Sequence, residues 1–297
     1  MPDPLLIADV PWLLYRAYFA LPKSIVGTDG QPVNALLGTV NAILTFYDAR
    51  PPARPDGVVA CMGAEQANYR VQLYPPYHAH RDPMPAELAA QWEQAPALLQ
   101  SLGWTFATST ELEADDVMFS HARVEEQRGG RALLLTGDRD LYGAVSEHVA
   151  VAELLKGGAH GEIGPAQVRE RYGVEPAQVP DFIALRGDPS DGLPGAPGIG
   201  AKTAAELLRE HGSLEGVLAT AQSISAAHSS GMRARTAAAL RENTELLRKF
   251  KQIATLQSID VEPPLERSTD FAGGALAARE LGMGRLAQRL EGMLDAP

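Results

Sequence analysis

Four short apolar runs set the limits on what this chain can become: LLIADV (5–10), GVVACM (57–62), RALLLT (131–136) and HVAVAEL (148–154). They read as buried strands. Between them lie stretches with apolar residues at helical spacing, NALLGTVNAILTFYDA (34–49), AELAAQWEQAPALLQSLG (86–103) and EADDVMFSHARVEEQ (113–127). Strands alternating with helices predict an α/β fold, a parallel sheet joined by helical crossovers. In such sheets ligands gather beyond the carboxyl ends of the strands. After about residue 165 the pattern becomes short helices parted by Gly and Pro, from PAQVRERYG to SLEGVLATA, with no strand candidate. That predicts a small all-helical module. The chain after Pro263 reads as a loop and then a helical tail.

The opening MPDPLLIADV lacks the basic segment of a signal peptide. No apolar stretch approaches the ~20 residues that span a membrane. Cys61 is the only cysteine, so no intrachain disulfide can form. A soluble cytoplasmic protein without a membrane partner is expected. The formal net charge of −11 argues against nucleic acid, unless the acids converge on bound cations and leave the outer surface locally basic.

Three acidic clusters fall at element ends. Glu113, Asp115 and Asp116 in ELEADDV open a helix, with Glu113 and Asp116 three apart and on one face. Taken alone they complement a helix N-terminus. Asp138 and Asp140 in TGDRDLY follow a strand, two apart; taken alone they are a solvated turn. Asp188 and Asp191 in GDPSDGLPG sit in an Asp-, Ser- and Pro-rich turn, and Asp9 closes the first strand, where a lone Asp is commonly a helix cap. Eight carboxylates on one side of a sheet cannot share a pocket without cations. Oxygen ligands without His or Cys suit Mg2+ or Mn2+, and two such ions can clamp the attacking and leaving oxygens of a phosphodiester. Setting those eight charges aside takes the net charge from −11 to −3, which no longer forbids DNA.

The stretch GAPGIGAKT places Ala201 where a nucleotide-hydrolase phosphate loop needs Gly, and it follows an acidic turn where that loop would follow a strand. The alternative is a hairpin between two short helices. Gly198, Ile199 and Gly200 would let backbone approach a phosphate, and the helix opening at Ala201, Lys202 and Thr203 would offer its positive end and a point charge. Such a grip positions duplex without reading its sequence.

The ordered set formed by Asp9 with LLYRAYFALP, then LEADDV, TGDRDLY, GDPSDGLPGAPGIGAKTA and LRKFKQIATLQ resembles the flap endonuclease / 5′→3′ exonuclease family over nearly the whole chain. That family includes the amino-terminal nuclease domain of bacterial DNA polymerase I; this chain resembles a stand-alone member. The resemblance implies a PIN-like, mainly parallel sheet flanked by helices, with a helical arch and a helix–three-turn–helix module. The implied divisions are a catalytic domain over 1–175 with its arch at about 68–100, a DNA-binding module over 176–262, and a tail over 263–297 packing back on the core. It implies two Mg2+ or Mn2+ sites, one from Asp9, Glu113, Asp115 and Asp116, the other from Asp138, Asp140, Asp188 and Asp191. It implies K+ at the carbonyls of Leu185, Arg186, Pro194, Ala196 and Ile199. Arg16 matches a phosphate-contacting arginine; Arg70, Tyr74, Tyr77 and Arg81 are placed to contact phosphates or stack bases of a threaded 5′ strand, although core packing explains the tyrosines alone.

The sequence also departs from the family. Met62 stands where members carry Asp, His78 where they carry a lysine that helps activate the scissile phosphate, Val10 where they carry Gly, and Gly192 where they carry Asn. A thioether is a poor Mg2+ ligand; Glu65 lies close enough in sequence to be a substitute. The expectation is a metal-dependent structure-specific 5′ nuclease, monomeric, acting on branched or nicked DNA with a free 5′ end in replication or repair, near the nucleoid and alongside proteins of those processes. Two rivals stand beside it: a flap-binding protein whose catalysis has decayed through Met62 and His78, and an RNA-cleaving relative of the PIN-type nucleases.

Overall fold

The computed structural model describes residues 3–47, 55–154, 160–223, 232–265 and 267–294. The helix expected over 34–49 therefore ends, at 48–49, outside the described residues. The first half alternates as the apolar runs require: β1 (Leu5–Asp9), α1 (Val10–Ala20), α2 (Asn34–Leu44), β2 (Gly57–Cys61), α3 (Asn68–Leu73), α4 (Ala86–Ser101), β3 (Thr105–Ala107), α5 (Ala114–Gln127), β4 (Ala132–Leu135), β5 (Val149–Leu154) and β6 (His160–Ile163). The strands form one sheet in the order β3-β2-β1-β4-β5-β6. Neighbours pair in parallel from β3 to β5, with Leu5 opposite both Gly57 and Ala132, and β6 alone runs antiparallel.

Every residue of β1 is buried, because helices cover both faces. Leu5 and Ile7 enter one apolar cluster with Val59, Leu134 and Val151; Leu6 and Ala8 enter the other with Val58, Leu133 and Leu135. The period of two along each strand assigns its side chains to the two layers. Strands β3 and β6 carry no apolar run. The first is a half-buried triplet and the second, HGEI, hydrogen-bonds along the outer edge of β5. Pairing on an existing edge created both, which a one-dimensional pattern cannot report.

The remaining helices are α6 (Pro165–Tyr172), α7 (Val179–Arg186), α8 (Ala201–His211), α9 (Leu214–Ser223), α10 (Ala234–Glu242), α11 (Thr244–Ala254), α12 (Phe271–Glu280) and α13 (Gly284–Leu294). Helices α7 to α11 extend the first apolar cluster through Phe182, Leu208, Leu218, Leu240 and Phe250. Ala275, Ala278, Leu286 and Leu290 of α12 and α13 join the second, against Leu98 and Leu99 of α4. The segment expected as an arch over about 68–100 is folded onto the body: α4 buries Leu88, Gln91, Ala95, Leu98 and Leu99, and Gln91 accepts from the Ala35 N–H at the start of α2 (2.7 Å). No described helix is long and apolar enough to cross a membrane.

Candidate active site at the carboxyl edge of the sheet

Strands β1 and β4 are neighbours whose chains continue to opposite sides of the sheet, to β2 and to β5, so their carboxyl ends mark its switch point. Asp9 ends β1 and caps α1, accepting from the Trp12 N–H (3.0 Å), and its other oxygen accepts from the Thr136 hydroxyl (2.7 Å). The cap and the site are thus the same residue. The turn after β4 brings in Asp138 and Asp140; Asp138 receives the Asp140 N–H (2.9 Å), and its own N–H is held by Thr136 (3.0 Å). Asp188 and Asp191 arrive from the loop after α7, which is closed by an antiparallel bridge between Asp188 and Leu193.

The start of α5 divides its three acids by the helical period. Glu113 and Asp116 share one face and both meet Arg70, at 3.1 and 2.8 Å, in a fully enclosed ion cluster. Glu113 also accepts from the Ala67 N–H (2.9 Å) and the Tyr77 hydroxyl (3.0 Å), and Asp116 from the Gln257 N–H (2.7 Å). Asp115 points the other way, and its carboxyl interacts with those of Asp138 and Asp9. Across the site, Arg186 Nη2 lies 3.0 Å from Asp188, and Asp191 meets His78 Nε2 at 2.9 Å and Arg81 at 3.4 Å.

The eight acids therefore form an outer four and an inner four. Glu113, Asp116, Asp188 and Asp191 each have a basic side chain of the protein beside them. Asp9, Asp115, Asp138 and Asp140 have none within ion-pair distance among the described residues. Burial raises all four inner carboxyls. For Asp115 the charges of Asp138 and Asp9 add to it, and for Asp140 those of Asp138, Asp191 and Asp188 do the same. Asp138 is pushed up to about 7, by burial first, against the opposing Asp140 N–H, and then by Asp191 and Asp9. Asp116 is also raised by burial, with Arg70 foremost among the groups that oppose it. Without metal, the ion pairs of the protein cut across the expected grouping of Asp9 with the α5 trio and of Asp138 and Asp140 with the loop pair.

Among the described residues no three His, Cys, Asp or Glu side chains already close around a single point at metal-holding distance. The donor set nevertheless suits a divalent cation: oxygen ligands only, mutually repelled, and lacking protein counter-charge in the inner four. Beside them opens a cleft of about 360 Å³ lined by Trp12, Asp138, Arg139, Asp140, Tyr172 and Arg186, among others.

Four expectations meet a different placement. Arg70 is 3% exposed and is drawn inward by Glu113, Asp116 and the Ile253 carbonyl, so it is a structural cation and not a surface contact for phosphate. Tyr77 is buried with its hydroxyl on Glu113, and Tyr74 packs edge-on against Phe250, which is the core role that a tyrosine alone suggests. His78 is 2% exposed, stacks on Tyr77 and meets the Asp191 carboxylate, so its ring is engaged inside the protein. Met62 is buried in the second apolar cluster, so the position contributes packing and not a ligand, while Glu65 is exposed. Val10 is likewise core. Gly192 has φ +75°, a conformation open to Gly and Asn and to few others, which accounts for the exchange between them there.

The remaining contact candidates are accessible. Arg16 is exposed above the Trp12 ring at 5.7 Å, and the Arg81 side chain is half exposed. Gly198, Gly200, Ala201 and Lys202 are exposed, Thr203 is half-buried, and Ile199 is buried as the hairpin's anchor. A Cβ added at Gly198 or Gly200 would meet nothing within 4 Å. The N-cap of α8, Gly200, makes no side-chain cap, so the first N–H groups of that helix are not capped by it. Behind this open tip the hairpin is tight: a Cβ on Gly195 would lie 2.3 Å from the Gly187 nitrogen and 2.8 Å from the Arg186 carbonyl. The carbonyls of Leu185 and Ala196 accept from the Ala196 and Ile199 N–H groups (2.9 and 3.0 Å). Thr136, Ser190 and the aromatic walls Trp12 and Tyr172 escaped sequence reasoning; the only signal was the Thr two residues before Asp138.

Residues 4–173 match the family model described as 5′-3′ exonuclease, N-terminal resolvase-like domain, and 174–271 match 5′-3′ exonuclease, C-terminal SAM fold. The chain is 33% identical to a 5′-3′ exonuclease of Mycobacterium tuberculosis, over 99% of both chains. It is 35% identical to DNA polymerase I of Mycobacterium bovis over 87% of its own length but only 29% of that relative's. Among solved structures it is similar to the bacteriophage T5 D15 flap endonuclease in a pseudo-enzyme-product complex with DNA and metal ions, with a TM-score of 0.66, 18% identity and coverage of 99% and 98%.

Proposed function

The chain belongs to the 5′-3′ exonuclease family, and from that premise we propose that it is a structure-specific 5′ nuclease hydrolysing phosphodiesters of branched or nicked DNA with a free 5′ end. The observation that carries this reading is the inner four carboxylates, gathered beyond the strand ends without protein counter-charge, while the loop that carries Asp188 and Asp191 runs on into an open glycine hairpin. Asp9, Asp115, Asp138 and Asp140 would hold one divalent ion, Mg2+ or Mn2+, and a second would sit towards Asp188 and Asp191. When bound, such ions polarise the phosphoryl group and lower the pKa of a water for in-line attack, leaving a 5′-phosphate. Thr136 fixes Asp9 and the Asp138 backbone, so those carboxylates are oriented before substrate arrives. Arg16, Arg81 and exposed Arg139 supply positive charge around the cleft for the scissile strand.

The N-terminus of α8, with Lys202 and the Gly198–Gly200 tip, would hold duplex backbone at a fixed distance from the cleft. The hairpin carbonyls of Leu185, Arg186, Pro194, Ala196 and Ile199 fit a K+ bridging to that backbone, since Gly187 and Gly195 leave a cradle that a Cβ would fill. We assign 1–175 to catalysis, 176–262 to duplex binding and 263–297 to the supporting tail, in a monomer serving replication or repair.

The reading is tested by single-turnover cleavage of a 5′-labelled double-flap DNA in Mg2+ and in Mn2+, with wild type and Asp138→Ala. Metal-dependent cleavage lost in the variant supports the nuclease. Intact flap binding with no cleavage in either metal would favour the second reading, a flap-binding protein, which the engagement of His78 by Asp191 and the burial of Met62 in the core support.

A further inference from the structure

Arg186 belongs to no part of the proposed chemistry through its side chain, yet its guanidinium is the best-anchored cation in the cleft. Nε donates to the Gly187 carbonyl at 2.9 Å, and the group lies over the rings of Phe182 and Tyr172 at 5.2 and 5.7 Å. Its Nη2 donates to Asp188 Oδ2 at 3.0 Å, with only 24% of the side chain exposed. The other oxygen of Asp188 is taken by the Ser190 N–H (2.8 Å) and by the Ser190 hydroxyl. Both acceptors of that carboxylate are therefore engaged by the protein. The same guanidinium also opposes the raised pKa of Asp140, so its field reaches the inner group. An aromatic-stacked, bidentate-capable arginine surrenders such a position less readily than a lysine would.

We propose that Arg186 is a built-in counter-cation for the Asp188 end of the site, so that the protein holds one divalent ion firmly at the inner carboxylates and admits a second, beside Asp188, only in competition with its own side chain. The inference rests on the metal-nuclease reading above and adds a residue to it. A divalent ion next to Asp188 would meet a fixed positive charge within one carboxylate's width, and either the ion binds weakly or the guanidinium must leave its two rings. Arg139 lines the same cleft but is exposed and forms no ion pair among the described residues. It serves as the internal control for charge without position.

The test is Mn2+ binding to the DNA-free full chain, followed by the electron paramagnetic resonance signal of free Mn2+, with no activity readout. Wild type should bind one ion at least about tenfold more tightly than a second, about 1.4 kcal/mol. Arg186→Leu, which keeps apolar contact with Tyr172 and Phe182, should tighten the weak site about tenfold, with the same conversion, and leave the tight one unchanged. Arg139→Gln should tighten neither site by more than about twofold, because an exposed charge is screened. Thermal melting checks each fold, and Arg186→Gln replaces the leucine variant if that one does not fold. Two ions of equal affinity in wild type, or a weak site untouched by both Arg186 variants while they remain folded, overturns the inference and leaves the nuclease reading standing. Absence of Mn2+ binding to any of the folded chains overturns the metal reading itself and the inference with it.

Discussion

The inner and outer carboxylates are the same chemical group at one end of the sheet, but their environments oppose each other. Asp116 is fully buried between Arg70 and the Gln257 N–H; Asp115, its neighbour in sequence, is less covered by the protein, yet its carboxyl forms no ion pair among the described residues and is raised well above the usual range by desolvation and by Asp138 and Asp9, with Arg70 opposing only from a distance. The outer four hold the fold together and the inner four strain it. A site for a cation is defined less by where acids are than by where acids lack protein partners, and the stability of the two groups should respond to substitution in opposite senses.

The sharpest way to break this comparison is to neutralise one acid of each kind. Asp138→Asn should lower single-turnover cleavage about a thousandfold, since metal-ion stabilisation of several kcal/mol is at stake. The same substitution should raise the melting temperature in EDTA near pH about 8, because it removes a repelled charge. A lowered melting temperature there would show that Asp138 is paired after all. Next in size, Arg70→Ala should cost about 3–5 kcal/mol in urea unfolding, as for a buried ion cluster that loses its cation. A cost below about 1 kcal/mol, the surface-pair range, would place that cluster in water.

The third expectation concerns pH in the absence of metal. With the Asp138 carboxyl at about 7 in the folded chain and 3.8 as its ordinary value, the native state retains a proton that the unfolded chain has released between those limits. Stability therefore falls as pH rises through that window. Melting in EDTA should drop from about pH 5 to about pH 8, and Asp138→Asn should flatten the slope. A rise over the same range would contradict the inner group's lack of counter-charge. The smallest effect lies outside the cleft: Lys202→Ala should weaken binding to all duplex sequences alike and reduce the salt slope by about 0.9, one phosphate contact. Titration of fluorescent duplex across salt concentrations reads it, and a sequence-dependent loss would mean the hairpin reads bases.

Much of this was legible from the chain. The apolar runs at 5–10, 57–62, 131–136 and 148–154 became β1, β2, β4 and β5 within a residue or two, because strands buried on both faces must be apolar throughout. Eight acids at element ends announced a cation site, and the three-residue spacing of Glu113 and Asp116 already placed them on a shared face. The Gly-rich stretch before Ala201 gave the open hairpin, since only residues without Cβ leave such a tip bare.

What pattern alone left open was partnership. Arg70 lies 43 positions before Glu113 and 46 before Asp116, and Thr136 lies 127 from Asp9; no local spacing encodes those meetings. The role of Arg70 changed from surface contact to buried counter-ion once α3 folded against α5 and α11. His78 and Arg81 likewise acquired Asp191 only when the loop after α7 closed on them. The sequence by itself determined the four apolar strands of the sheet and the supply of carboxylates near its carboxyl ends, because burial and backbone geometry act locally and repeat along the chain. The tertiary structure alone decided which carboxylates are neutralised and which are left to bind a cation, because electrostatic pairing depends on distances of a few ångströms between residues far apart in the chain.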